Sequence, residues 1–186
     1  MAVLPREMEL ARFLELPEQK PALEYEDGRI TQKASPRSQH GLIQAGLAEL
    51  FGQFARPRKI AVTFTELRAT SGRRSYVPDL SIVRWPRLTV DASGEITNEF
   101  SDIPDLAIEI VSPDQSVTAL VRHCLWYVAN GAAVALLIDP ADKSVLSFRP
   151  NQVTGSLADS DRIELDDVLP GFELTVQQVF DLLRLD

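Results

Sequence analysis

Cysteine, histidine and long apolar runs are scarce in this 186-residue sequence, and each scarcity excludes a class of protein. The single Cys124 cannot form an internal disulfide, and its position in an apolar helical pattern predicts a buried, inert thiol. One cysteine and two widely separated histidines give no zinc-binding spacing. No apolar run approaches the roughly 18 residues that a membrane span needs. We therefore expect a protein without a disulfide framework, a structural zinc site or a membrane segment.

The charge balance and the residues near Met1 narrow the class further. A formal net charge of -8 argues against a protein that coats nucleic acid non-specifically, although a local basic groove beside an acidic site is compatible with it. Arg6, Glu7 and Glu9 do not follow the basic-then-apolar order of a signal peptide, so we expect a cytoplasmic protein. The length fits one domain over residues 1–186. Nothing in the sequence favours two competing kinds of site, because it has neither a Gly-rich phosphate loop nor a Gly-x-Ser-x-Gly motif.

The order of the predicted elements describes an α/β protein with a mixed sheet. Apolar residues recur at helical spacing in four segments, which are residues 7–16, 38–56, 116–130 and the segment after Thr175. Alternating or apolar runs between turn signals predict strands at 23–32, 60–67, 76–83, 104–111, 134–138, 145–149 and 162–165. The first of these runs contains Asp27-Gly28, a dipeptide typical of a type I′ hairpin turn. The pattern therefore predicts a mixed central sheet flanked by helices.

Two of the predicted strands begin with Pro-Asp and together carry three carboxylates. Asp79 opens one, and the run 104–113 contains both Asp105 and Glu109. Because side chains alternate along a strand, Asp105 and Glu109 leave the same face. An ionised Glu109 among apolar neighbours is costly, so it either pairs with a basic side chain or holds a metal. Asp79 and Asp105 could equally serve as structural caps where their strands begin.

Carboxylates in this arrangement suit a hard divalent cation such as Mg²⁺ or Mn²⁺, which prefers oxygen ligands. Asp79 and Glu109 are the principal candidates, with Asp105 or Glu24 as additional ligands. Such an ion acidifies an attacking water and neutralises charge that develops on a phosphate. The pattern therefore favours hydrolysis of phosphodiester bonds.

The same segments, taken together and in order, resemble the Uma-type restriction-endonuclease family. The resemblance is carried by the two Pro-Asp strands, by Tyr127 to Gly131 and by the Leu169-Pro170-Gly171 turn, and it spans about residues 8–180. It implies the restriction-endonuclease-like fold of the PD-(D/E)XK nuclease superfamily, an α/β mixed sheet flanked by helices. It also implies a Mg²⁺ (or Mn²⁺) site, DNA as the substrate and a homodimer as a candidate assembly.

The resemblance assigns a role to each of several residues. Asp79 would match the metal-binding aspartate, Glu109 the acidic residue of the (D/E)XK strand, and Glu24 an additional ligand. Four further residues would line the site: His40, Asp105, Arg122 and Tyr127.

The basic residue of the motif is where this chain departs from the family pattern. Its strand position holds Val111, and the alternative helix position, four residues before Tyr127, holds His123. His123 is either the third catalytic residue or an exposed histidine off the apolar stripe of its helix. A histidine is largely neutral near pH 7 and stabilises anionic charge less well than a lysine. The main hypothesis is a DNA endonuclease, and there are two alternatives. One is a non-catalytic family member that binds nucleic acid or protein, and the other is a ribonuclease that uses the same acids.

Overall fold

The computed structural model describes residues 8–98, 100, 102–113 and 115–185, and within them it contains two sheets and four α-helices. The helices are α1 (Leu10–Leu14), α2 (Ser38–Ala55), α3 (Val117–Ala129) and α4 (Val176–Asp181). The strands are β1 (Leu23–Glu26), β2 (Arg29–Gln32), β3 (Ala61–Thr65), β4 (Ala69–Ser71), β5 (Arg74–Tyr76), β6 (Leu80–Arg84), β7 (Leu106–Ile110), β8 (Val134–Asp139), β9 (Ser144–Phe148) and β10 (Gly155–Ala158). The predicted mixed α/β fold is confirmed.

The larger sheet has six strands in the order β10-β9-β8-β7-β6-β3. β7 and β8 are parallel and are joined by the crossover helix α3, whereas the other neighbouring strands are antiparallel. Leu80 in β6 pairs with Ile108 in β7, so the start of β6 lies beside the end of β7. This antiparallel pairing brings Asp79, directly before β6, close to Glu109.

The side chains of β7 show how the two faces of this sheet are covered. Leu106, Ile108 and Ile110 are fully buried in the hydrophobic cluster that includes α2 and α4, whereas Ala107 belongs to the cluster that includes α3. Alternation along the strand therefore directs Glu109 to the α3 face.

The smaller sheet has four antiparallel strands in the order β2-β1-β5-β4. The predicted hairpin between β1 and β2 is confirmed, since Asp27 and Gly28 have φ of 49° and 95°, as a type I′ turn requires. The β4–β5 hairpin, which turns at Gly72 with φ of 58°, is not predicted from the sequence. Its strands have three residues each, too few to show an alternating pattern.

From the sequence we expect Ser35 or Ser38 to cap the second helix, Gly131 to follow the third and Thr175 to cap the last, and the structure confirms the last two of these expectations. Ser116 caps α3 by accepting a hydrogen bond from the Ala119 backbone N–H, and Gly131, with φ of 119°, follows its C-terminus. Thr175 caps α4 in a capping box, as predicted from its position. Ser38 is the first residue of α2 and not its cap, because Arg37 occupies the N-cap position without a side-chain cap.

Three further expectations have mixed outcomes. The strand predicted near 162–165 is wrong, because the described residues there form only an isolated bridge and the edge strand is β10 instead. Cys124 is buried with its thiol 3.7 Å from the Leu136 carbonyl, and burial raises the pKa of that thiol, which confirms an inert cysteine. No helix in the described ranges is long and apolar enough to cross a membrane.

Candidate active site

Asp79 is buried where β6 begins, and its carboxylate is held by partners on several sides. Oδ1 lies 2.7 Å from Nζ of Lys33 and 3.3 Å from Nε2 of His40, and Oδ2 accepts a 2.7 Å hydrogen bond from the Ile110 backbone N–H. Gln44 donates to the Asp79 carbonyl at 2.8 Å. Burial alone would raise the pKa of Asp79, but Lys33 and His40 together hold it below its usual range. Asp79 is therefore ionised and fixed in orientation.

Glu109 lies on the α3 face of the larger sheet and is only 1% exposed. Its Oε1 accepts a 2.8 Å hydrogen bond from the Tyr127 hydroxyl, and its Oε2 lies 3.8 Å from Nζ of Lys33. Burial and the charge of Glu109 raise the pKa of Tyr127 well above its usual value, so the phenol remains a donor. The Glu109 carboxylate thus has one fixed oxygen and one oxygen directed toward a cation.

Lys33 is the residue of this cluster that the sequence patterns miss. It follows β2, its side chain is 7% exposed, and its ammonium also donates to the Val77 carbonyl at 2.6 Å. Burial would lower the pKa of Lys33, but the surrounding carboxylates, led by Glu109 and Asp79, raise it above its ordinary value. Lys33 is therefore a buried permanent cation between two carboxylates.

Lys33 is a basic residue that contacts the acids although the strand position expected to hold one is occupied by Val111. This basic residue directly follows β2 in the smaller sheet, whereas the sequence patterns place it at the end of β7 or on α3. The one local signal is a lysine directly after a predicted hairpin, where a solvated charge is the ordinary interpretation. Its partner Asp79 is 46 residues away, a separation that no local periodicity spans.

Glu24 reaches the same cluster from β1 and is 7% exposed. Its Oε1 accepts a 3.0 Å hydrogen bond from the Val77 backbone N–H. Burial and the charge of Glu109 raise the pKa of Glu24, so Glu24 takes up a proton more readily than an exposed glutamate.

His40 links the acids to the end of β7 from the α2 side. While its Nε2 faces Asp79, its Nδ1 lies 3.1 Å from Oγ of Ser112. The Ser112 backbone N–H in turn donates to Oε1 of Gln115 at 2.9 Å. His40 is buried, and it holds the Asp79 carboxylate against the helix that also supplies Gln44.

The predicted α3 residues fall in two different environments. His123 is stacked on Tyr76 with ring centroids 3.9 Å apart, and its side chain is 14% exposed, so the interpretation as an exposed surface histidine is wrong. Its Nδ1 lies 3.5 Å from Oε1 of Glu109 without a hydrogen bond, and although burial lowers the pKa of His123, Glu109 raises it overall. Arg122 is exposed, and no contact joins it to the acids among the described residues.

Asp105 is not brought to this cluster, although it shares a face of the strand with Glu109. Four residues of a strand rise about 13 Å, which places Asp105 at the opposite end of β7. Its Oδ1 accepts a 2.7 Å hydrogen bond from Nε of Arg84, and its Oδ2 lies 3.1 Å from Arg87. The structure therefore favours the structural interpretation of Asp105, which anchors the segment after β6.

Comparison with known proteins identifies the family of this chain. Residues 10–177 match the model of the Uma2 family, whose description is "Putative restriction endonuclease". The chain belongs to the Uma2 family. A crystal structure of "a putative nuclease belonging to DUF820" from Anabaena variabilis ATCC 29413 superposes on this Uma2 chain with a TM-score of 0.91. The two sequences are 36% identical over 95% of this chain and 99% of that one, and no match was found among curated proteins.

The carboxylates of this Uma2 protein offer oxygen ligands for a cation. Among the described residues, no three Asp, Glu, His or Cys side chains converge as a complete metal cluster. Asp79 and Glu109 nevertheless each direct an oxygen toward one cationic position, now taken by the Lys33 ammonium. Mg²⁺ is commonly held by one or two carboxylates, with water and phosphate oxygens completing its shell. The donor set therefore fits a hard divalent cation beside Lys33, with Glu24 close by.

Proposed function

We propose that this Uma2 protein is a metal-dependent endonuclease that hydrolyses phosphodiester bonds in DNA. The observation that supports the proposal most is the Lys33 ammonium between Asp79 and Glu109. Phosphodiester hydrolysis needs oxygen ligands for a divalent cation and a fixed positive charge for the transition state, and these three side chains offer both. The family description and that of the Anabaena relative support the reaction class.

The residues of the cluster would divide the chemistry among them. Asp79 and Glu109 would hold Mg²⁺ or Mn²⁺, which when bound acidifies an attacking water and neutralises charge on the scissile phosphate. Lys33 stays protonated and would donate to a phosphate oxygen as negative charge develops there. Tyr127 keeps the Glu109 carboxylate in place, and His40 does the same for Asp79. The chain thus supplies charges that are already oriented before substrate binds.

Nicking of supercoiled plasmid DNA in Mg²⁺, Mn²⁺ or EDTA tests the proposal. We expect the wild type to nick only with metal, and Asp79→Ala, Glu109→Ala and Lys33→Met to lose at least about 100-fold in rate, as is typical when one preorganised group is removed. Lys143→Met is the matched control, because Lys143 is exposed in the turn between β8 and β9 and should nick like the wild type. Equal nicking by all preparations would reveal a contaminating nuclease and contradict the proposal.

A second candidate function, a non-catalytic module that binds nucleic acid or protein, is favoured by one observation. The protein's own Lys33 ammonium lies within ion-pair distance of two buried carboxylates and stabilises them, so the cluster needs no catalytic role to be stable. A wild-type protein that does not cleave DNA but binds it as tightly as Asp79→Ala does would support this candidate.

An RNA of matched sequence in the same nicking assay separates a ribonuclease from a DNA endonuclease. Size-exclusion chromatography with light scattering tests the proposed homodimer.

A further inference from the structure

We infer that a cleft beside the carboxylates receives unpaired nucleotides, so that single-stranded or melted DNA is the preferred substrate. The cleft has a volume of about 860 Å³. It lies between the segment from α1 to residue 23 on one side and residues 88–98 and 100 on the other, with the end of β3 between them. The inference rests on the proposed nuclease function and adds the form of the substrate to it.

The floor of the cleft adjoins the candidate active site. Val77 lines the cleft, its carbonyl accepts the hydrogen bond from Lys33, and its N–H donates to Glu24. Ala22 is another lining residue, and its carbonyl accepts a 2.9 Å hydrogen bond from the Lys33 backbone N–H. A strand whose phosphate reaches Lys33 would therefore place a neighbouring nucleotide in the cleft.

The lining suits the faces and edges of bases. Phe64 and Phe100 supply aromatic rings, and Gln19 and Asn98 supply amide groups. Bases of single strands stack on such rings with little dependence on sequence. Neither Phe64 nor Phe100 belongs to either hydrophobic cluster of the described residues, so core packing does not account for these rings.

The charges around the cleft cancel. Glu18 and Glu66 are balanced by Lys20 and Arg68, and Lys20 pairs with Glu66 at 3.4 Å. A duplex is bound chiefly through its phosphates, which requires an electropositive groove. A cleft with no net charge must instead gain affinity from stacking, which an unpaired base offers and a base within a duplex does not.

An arginine side chain contacts each wall of the cleft. On one side, the Arg68 guanidinium lies 5.1 Å from the Phe13 ring centre and donates to the Leu23 carbonyl at 2.9 Å. On the other, Arg87, which also contacts Asp105, lies 5.8 Å from the Phe100 ring centre. A preformed cleft loses less conformational entropy on binding than one that must be ordered by its ligand.

Binding measured by fluorescence anisotropy in EDTA tests the inference without relying on cleavage. A labelled single strand of about 12 nucleotides should bind at least about tenfold tighter than its blunt duplex at the same salt concentration, because stacking favours each unpaired base. Phe64→Leu and Phe100→Leu keep the apolar volume but lose the ring, and each should weaken single-strand binding by at least about fivefold. Phe54→Leu is the control, since Phe54 is also partly buried but packs against Phe172 in the α2 cluster.

Photocrosslinking of a single strand that carries 5-iodouracil gives an independent measurement on the wild type. Peptides containing residue 64 or 100 should carry the crosslink, because this base reacts with aromatic rings on which it stacks. Equal affinity for single strand and duplex, or crosslinks only outside the cleft, would overturn the inference. Metal-dependent nicking without a preference for single strands would contradict this inference and leave the proposed nuclease function standing. Single strands bound in the cleft but never cut would support the cleft assignment and contradict the proposed function.

Discussion

Removing the Lys33 ammonium is expected to destabilise the protein strongly. The side chains of Asp79 and Glu109 are 6% and 1% exposed, so Lys33→Met would leave two buried carboxylates without their cation. Breaking a buried ion pair by removing one partner costs about 3–5 kcal/mol in free energy of unfolding. For a chain of this size 1 kcal/mol shifts the thermal midpoint by about 2–4 °C, so the expected loss is roughly 6–20 °C.

Thermal unfolding followed by circular dichroism in EDTA, from about pH 5 to about pH 8, measures this loss and its origin. In the wild type the lowered pKa of Asp79 contributes stability at neutral pH, which is lost only as the pH falls through that low pKa. In Lys33→Met the Asp79 carboxylate lacks the cation that lowers its pKa and binds a proton at a higher pH than in the wild type, so the deficit should shrink on acidification. The exposed control Lys143→Met should stay within about 2 °C of the wild type. A Lys33→Met midpoint that matches the wild type at every pH would refute the charge compensation.

The remaining predictions concern the other members of the cluster. Mg²⁺ or Mn²⁺ should raise the thermal midpoint of the wild type, and Glu109→Ala should remove the shift because a ligand is lost; no shift in the wild type would count against a metal site. Glu24→Gln keeps an acceptor for the Val77 N–H but removes the buried carboxyl group. Burial and the charge of Glu109 raise the pKa of that carboxyl. The midpoint of this variant in EDTA should therefore exceed that of the wild type at neutral pH, and the gain should vanish as the pH falls through that raised pKa; a gain at all pH values would contradict this cause. Tyr127→Phe removes a hydrogen bond to a charged group and should cost about 1.5–3 kcal/mol in urea unfolding, whereas no loss would show that Glu109 does not depend on it. Asp105→Asn should leave the metal-induced midpoint shift intact, and its disappearance would return Asp105 to the ligand set.

Local patterns were sufficient for the elements whose signals lie within a few residues. The limits of α3 follow from Ser116 and Gly131, and the first hairpin follows from Asp27-Gly28. Caps and turns act between near neighbours in the chain, so the sequence contains the whole of each signal. The β4–β5 hairpin escaped prediction because its strands are shorter than any reliable period.

Local sequence patterns predicted a buried Glu109 that needs either a basic side chain or a metal, whereas the contacts between distant parts of the chain show that Lys33 lies beside it. Antiparallel pairing of β6 with β7 places Asp79 beside Glu109, and the rise along β7 carries Asp105 away from both. The smaller sheet then delivers Lys33 between the two acids. The physical reason is the range of the contacts, since a buried charge can be compensated by any cation that the fold brings within a few ångströms, however far away in the chain.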